Sequence, residues 1–153
     1  MKHVIENCWM ILPGHKVGSG DLEIEGERIS NITLRNQATE KSNNRLVLPG
    51  LVNCHGHTAM TLVRGLGGGL PLQRWLEEAS FPVEAKMRPE DVCAGTAWGV
   101  REMLAGGTTS VADMYDFPGD CARAFAEGGM KARVCRVGLG FVPGRLNDCI
   151  EFT

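Results

Sequence analysis

His55 and His57 are the residues of this chain best suited to chemistry, because they stand two apart at the end of an apolar run, Leu51-Val52-Asn53-Cys54-His55-Gly56-His57. On an extended backbone residues i and i+2 point the same way, so both imidazoles can aim at one point. Neutral imidazole is a favoured ligand for zinc, iron and nickel, and two convergent ring nitrogens make half of a tetrahedral site. A polar pair in a loop has the same spacing, and the remaining histidines, His3 and His15, lie far off in sequence. Cys8, Cys54, Cys93, Cys121, Cys135 and Cys149 form no C-x-x-C pair, which argues against a zinc ribbon or a secreted disulfide scaffold. They read as reduced thiols, mostly buried. The triple glycine Gly67-Gly68-Gly69 lacks the Lys-Ser/Thr that a phosphate loop needs.

The elements that must position the pair follow from the pattern around it. Residues 1 to 50 read as short strands and turns, punctuated by Pro13-Gly14, Gly18-Ser19-Gly20 and the turn at Gly26-Glu27-Arg28. Leu22, Ile24, Ile29 and Ile32 supply one apolar face, too little for an independent core, so this unit is expected to pack on or pair with another segment. From Leu46 the style changes, and Leu51-Val52 leads a run that reads as a buried parallel strand. Residues 65 to 88 read as a Gly-rich, Pro-containing insertion with one short helical piece around LPLQRWLEEA, and long insertions after strands often line sites. A helix is predicted from Pro89, with Val92, Thr96, Val100 and Met103 near one face and Gly106-Gly107 as its stop. TTSVADMY then reads as a strand, Pro118 to Glu127 as a helix, and ARVCRVGLGF as a further strand. The order is βαβαβ, the mark of a parallel α/β sheet.

Composition bounds the rest. The chain has 153 residues, 43% hydrophobic and 22% charged, with a formal net charge of −2. Disorder is excluded as a class, and no basic footprint for nucleic acid or an anionic membrane is present. The opening MKHVIENCWMILPG breaks its apolar stretch with Glu6 and Asn7, which suits neither a membrane span nor a signal peptide, so the cytoplasm is the expected location. One domain with a sizeable core fits this length, whereas a full (β/α)8 barrel needs about 250 residues.

The segment LVLPGLVNCHGHTAMTLVRGL resembles the opening of the barrel in the amidohydrolase superfamily, where P-G-x-x-x-x-H-x-H places the first two metal ligands at the end of strand 1. The resemblance runs on through LPLQRWLEEASFPVEAKMRPEDV and REMLAGGTTSVADMY and covers essentially the whole chain in order, most similar to the 5-methylthioadenosine/S-adenosylhomocysteine deaminase group. It implies an α/β fold: residues 1–49 as the N-terminal portion of a composite β-sandwich, and residues 50–153 as the first strands and helices of a (β/α)8 TIM barrel. His55 and His57 match the ligand pair, with Gly56 where Thr or Ala is more usual. Trp75 matches a residue that contacts the nucleoside, and Glu84 the carboxylate that accepts hydrogen bonds from the ribose hydroxyls. Arg136 and Arg145 match two arginines that hold the carboxylate of a homocysteine tail, a task a guanidinium performs bidentately.

Each assignment has a plainer reading beside it. Trp75 on a short amphipathic helix is often core, and Glu84 among Glu77, Glu78 and Lys86 reads as a solvated charge. Arg136, within an apolar strand, fits the plain reading less well, since a lone buried guanidinium is costly without an anion. Arg145 follows Pro143-Gly144 and is exposed by default, and Asp113, near a strand end, reads as structural.

The resemblance further implies one divalent metal, zinc before iron, manganese or nickel, completed by two histidines and an aspartate from later strands. Such a metal activates water, which displaces ammonia from an adenosine-type nucleoside. Only two of those ligands occur here, so the expectation is part of a longer protein, inactive alone, with a sheet edge that favours homo-oligomers or a complementing C-terminal segment. A related amidohydrolase acting on guanine, cytosine or triazine rings is the alternative within the class, and a non-catalytic assembly module is the alternative outside it.

Overall fold

Cys8, Met10 and Leu22 are buried together in the opening hairpin, with Ile5, Leu12, Ile24 and Val47 packed around them. This computed structural model describes residues 1–35 and 44–138. It divides the chain into two units, Met1–Pro49 and Gly50–Thr153. In the first, β1 (Lys2–Leu12) pairs antiparallel with β2 (Lys16–Glu25), and β2 pairs antiparallel with β3 (Arg28–Leu34). The short β4 (Leu46–Val47) runs parallel to β1, giving the order β3-β2-β1-β4. Register slips between Ile5 and Cys8, where Asn7 takes a positive φ and its amide donates to Asp21 Oδ1 at 2.7 Å. Leu22 and Ile24 share a face with Ile32 and Ile29, their partners across β2 and β3. Leu22 is buried while Ile29 and Ile32 are exposed, apolar surface of the kind expected to be covered by another segment.

In the second unit β5 (Leu51–Gly56), β6 (Thr108–Met114) and β7 (Lys131–Cys135) form a parallel sheet in that order. Parallel neighbours need crossovers. A long one, containing α3 (Pro89–Ala105), joins β5 to β6, and α4 (Pro118–Glu127) joins β6 to β7. Val92 and Val100 of α3, Val111 and Tyr115 at β6, and Cys121 and Phe125 of α4 close one core. Among the described residues no helix is long and apolar enough to cross a membrane.

Three expectations are corrected here. β5 is parallel but not buried: Leu51 is 55% and Val52 65% exposed, since β5 pairs with β6 alone among the described residues. The insertion is more helical than one short piece, running through α1 (Leu72–Arg74), a π-helical turn (Trp75–Ser80) and α2 (Phe81–Glu84). Pro82 has no amide to give and would crowd a regular α-turn, which accounts for the widened turn before it. The described cysteines are free, but only Cys8 and Cys121 are buried, while Cys54 and Cys135 are exposed. Burial pushes the Cys121 thiol up to about 11.

Candidate metal and nucleoside site

Two glycines on α3 set the backbone that follows His57. A Cβ at Gly95 would lie 2.4 Å from the Ala59 carbonyl oxygen, and one at Gly99 would lie 2.4 Å from Thr58 Cγ2. Their absence lets the 3-10 segment Thr58–Val63 seat directly on α3, and Thr61 Oγ1 donates to the Gly95 carbonyl at 2.7 Å. The end of β5 is thereby held against a helix.

His55 and His57 stand there with ring centroids 4.9 Å apart and planes nearly perpendicular. Two imidazoles sharing a tetrahedral ion at about 2.1 Å per bond have centroids roughly 5 Å apart, so the pair fits a metal. His57 Nδ1 lies 2.8 Å from the Met114 carbonyl oxygen. That contact selects the tautomer with the proton on Nδ1 and leaves Nε2 as the free lone pair, the arrangement by which ligating histidines are oriented. His55 is exposed, with its amide on Asn53 Oδ1 at 3.2 Å. No third His, Cys, Asp or Glu joins the pair into a cluster among the described residues.

Asp113 is structural in the way its position suggests, and its contacts are specific. It is 2% exposed, and Oδ1 accepts from the Thr58 amide at 2.7 Å and from Thr58 Oγ1 at 2.6 Å. Gly56 leaves room for it, since a Cβ there would lie 3.0 Å from Asp113 Oδ1. Oδ2 is buried without a hydrogen-bond partner among the described residues, an orphan that calls for a donor or cation from elsewhere. Asp113→Ala is expected to destabilise the unit by about 2–3 kcal/mol, because the Thr58 amide and hydroxyl lose their buried acceptor. It should also weaken affinity for a divalent ion at the His55–His57 pair about tenfold or more by freeing the turn after His57. Urea denaturation and chelator competition check the two effects separately.

Beside His57 lies a cavity of about 390 Å³, lined also by Met60, Trp75, Phe81, Glu84, Tyr115 and Asp116. Its size suits a nucleoside-sized ligand, and its wall is mainly apolar with a few polar groups. The sequence-derived candidates His57, Trp75 and Glu84 thus meet in one place, though they are far apart in the chain. Trp75 donates its indole N–H to the Leu66 carbonyl at 2.8 Å, so what it offers the cavity is its ring and not a free donor. The wide π turn that begins at Trp75 and the α2 turn that ends at Glu84 carry both side chains to the same wall.

Tyr115, Met60 and Asp116 were not singled out from the sequence. Tyr115 is the only tyrosine of the chain and follows β6 directly, and the carboxyl ends of parallel strands are where ligands collect, a signal that was available. Phe117 next to Asp116 has φ 52°, an unfavourable conformation for a bulky residue, held at the start of α4. Arg136 sits just past β7 and is half-buried, but the cavity takes its neighbour Val137 instead. Arg145 lies outside the described residues.

The sequence pattern of the "Amidohydrolase family" matches residues 46–147. A 5-methylthioadenosine/S-adenosylhomocysteine deaminase of Dictyoglomus turgidum is 40% identical over 157 residues, covering 99% of this chain and 36% of that protein. A 5'-deoxyadenosine deaminase of Methanothrix thermoacetophila is 37% identical over 153 residues, covering 97% of this chain and 37% of that protein. The crystal structure of an adenosine deaminase from Xanthomonas campestris with bound zinc superposes with a TM-score of 0.71 at 34% identity, covering 84% of this chain and 32% of that one. The chain spans about a third of the length of the relatives it matches.

Proposed function

The chain belongs to the amidohydrolase family, and from that membership we propose that it forms the N-terminal part of a hydrolase that deaminates adenosine-type nucleosides of the 5-methylthioadenosine/S-adenosylhomocysteine class. The reading is carried by one observation, that His57, Trp75 and Glu84 line a single cavity of about 390 Å³. β5, β6 and β7 are then the first strands of a (β/α)8 barrel, and Met1–Pro49 contributes to a β-sandwich. Further strands, from a C-terminal segment, cover the exposed face of β5 and complete the metal site.

His55 and His57 hold one divalent ion, with zinc the first candidate because a relative of similar fold carries it. Such an ion supplies Lewis-acid polarisation and a water acidic enough to react near neutral pH. The chain's own residues do the rest of the binding. The Met114 carbonyl holds the His57 ring in one tautomer. The Trp75 ring packs an apolar wall against the base or sugar, and the apolar lining keeps bulk water from the reacting carbon. Glu84 offers carboxylate oxygen to a ribose diol, which a nucleoside has and a free base lacks. Arg136 and Arg145 receive the carboxylate of a homocysteine tail in substrates that carry one.

The test joins these 153 residues to the complementary part of the Dictyoglomus turgidum relative, loads the product with zinc, and measures ammonia release. Release from 5-methylthioadenosine or S-adenosylhomocysteine at a rate far above that from guanine or cytosine is the expected result. A folded, zinc-loaded product that prefers the free bases would favour the alternative reading, an amidohydrolase acting on guanine, cytosine or triazine rings.

A further inference from the structure

Asp113, Met114 and Tyr115 are consecutive, and each holds a different part of the site. Asp113 holds the Thr58 turn, the Met114 carbonyl holds His57, and the Tyr115 hydroxyl donates to Glu84 Oε1 at 2.9 Å. The third contact has a consequence for substrate choice. Glu84 is a flexible side chain at the end of a four-residue helix, and nothing in its own backbone fixes where its carboxylate points. Tyr115 is 6% exposed, packed in the core with Val111, Cys121 and Phe125, so its hydroxyl is a fixed point. Met87 Sδ, 3.6 Å from the same hydroxyl, is a much weaker acceptor than a carboxylate and does not compete.

We propose that Tyr115 is a positioning residue: by donating to Glu84 Oε1 from a rigid strand end, it aims Oε2 into the cavity as the acceptor for a nucleoside's ribose hydroxyls. This rests on the nucleoside reading of the cavity and adds a specificity determinant to it. Burial and the neighbouring Glu84 carboxylate hold the phenol well above its usual range, so it remains a donor at any ordinary pH. Glu84 therefore faces substrate with one oxygen already committed. The diol is read by a single oriented oxygen, and a loosened carboxylate would read it less well without touching the reacting carbon.

Two experiments test this. The chain has one tyrosine, so tyrosine labelled with 13C at Cζ gives one resonance in the 153-residue protein. Glu84→Ala should shift that resonance, and an unmoved resonance would overturn the contact without any need for turnover. In the joined, zinc-loaded enzyme, Tyr115→Phe should raise KM for adenosine about three- to tenfold, the loss of one hydrogen bond's worth of orientation, with kcat nearly kept. KM for 2',3'-dideoxyadenosine should stay unchanged, since it has no diol to lose. An equal rise for both nucleosides, or a fall in kcat alone, would make Tyr115 merely structural. If Glu84→Gln also fails to separate the two nucleosides, the nucleoside reading of Glu84 is what falls. If only Tyr115→Phe fails, the positioning role falls and the reading stands.

Discussion

Replacing His57 with alanine is expected to remove bound zinc and to lower deamination by the joined enzyme on the order of a thousandfold. The ion's stabilisation of developing charge is worth several kcal/mol, and each tenfold in rate corresponds to about 1.4 kcal/mol. Of the pair, His57 should matter more than His55 for the order of the site, because its ring is tethered to the Met114 carbonyl and lines the cavity. Metal analysis after gel filtration reads the first effect, and ammonia release reads the second. A variant that keeps full zinc occupancy and turnover would remove the histidine pair from the chemistry. Loss of activity with zinc retained would make His57 a contact for substrate and not a ligand.

Replacing Glu84 with glutamine is expected to lower kcat/KM for adenosine-type nucleosides about 10- to 100-fold while leaving free bases nearly unaffected. Hydrogen bonds to a charged acceptor contribute about 1.5–3 kcal/mol, and an amide of the same shape retains only part of that. The amide can also turn its NH2 toward the Tyr115 hydroxyl or the substrate, which reverses a donor where an acceptor is required. Competition between a nucleoside and its free base in one reaction gives the ratio directly. Equal losses for both would mean that Glu84 shapes the cavity in general and does not read the sugar.

The parts of this site that a sequence can show are those written in side-chain identity and short spacing. The H-x-H pair was legible because alternation on a strand converts a two-residue spacing into a shared direction. Trp75 and Glu84 were legible only through the longer motif around them, since nothing local distinguishes Trp75 from a core residue or Glu84 from a surface charge. The Met114 carbonyl was not legible at all. A backbone group has no identity in the sequence, and its role appears only once β5 and β6 are paired in register, with Gly56 opposite Asp113. Tyr115 was missed because its partner is thirty-one residues earlier, at the end of the short α2 helix that follows the π turn, a placement local periodicity does not reveal. The helix from Pro89 to Ala105 was the easiest element, since its apolar face, proline start and glycine stop agree. The burial of Leu51 and Val52 was misread because an apolar run shows that a strand can be buried, not which segment covers it.

The most direct test is a crystal structure of the joined, zinc-loaded protein with a bound 5-methylthioadenosine analogue that cannot lose its amine. The ribose hydroxyls should lie within hydrogen-bond distance of Glu84, the Trp75 ring should pack against the ligand, and zinc should sit on His55 and His57 beside the amine-bearing carbon. A ligand bound elsewhere, or with its sugar turned away from Glu84, would contradict the assignment of this cavity to an adenosine-type nucleoside.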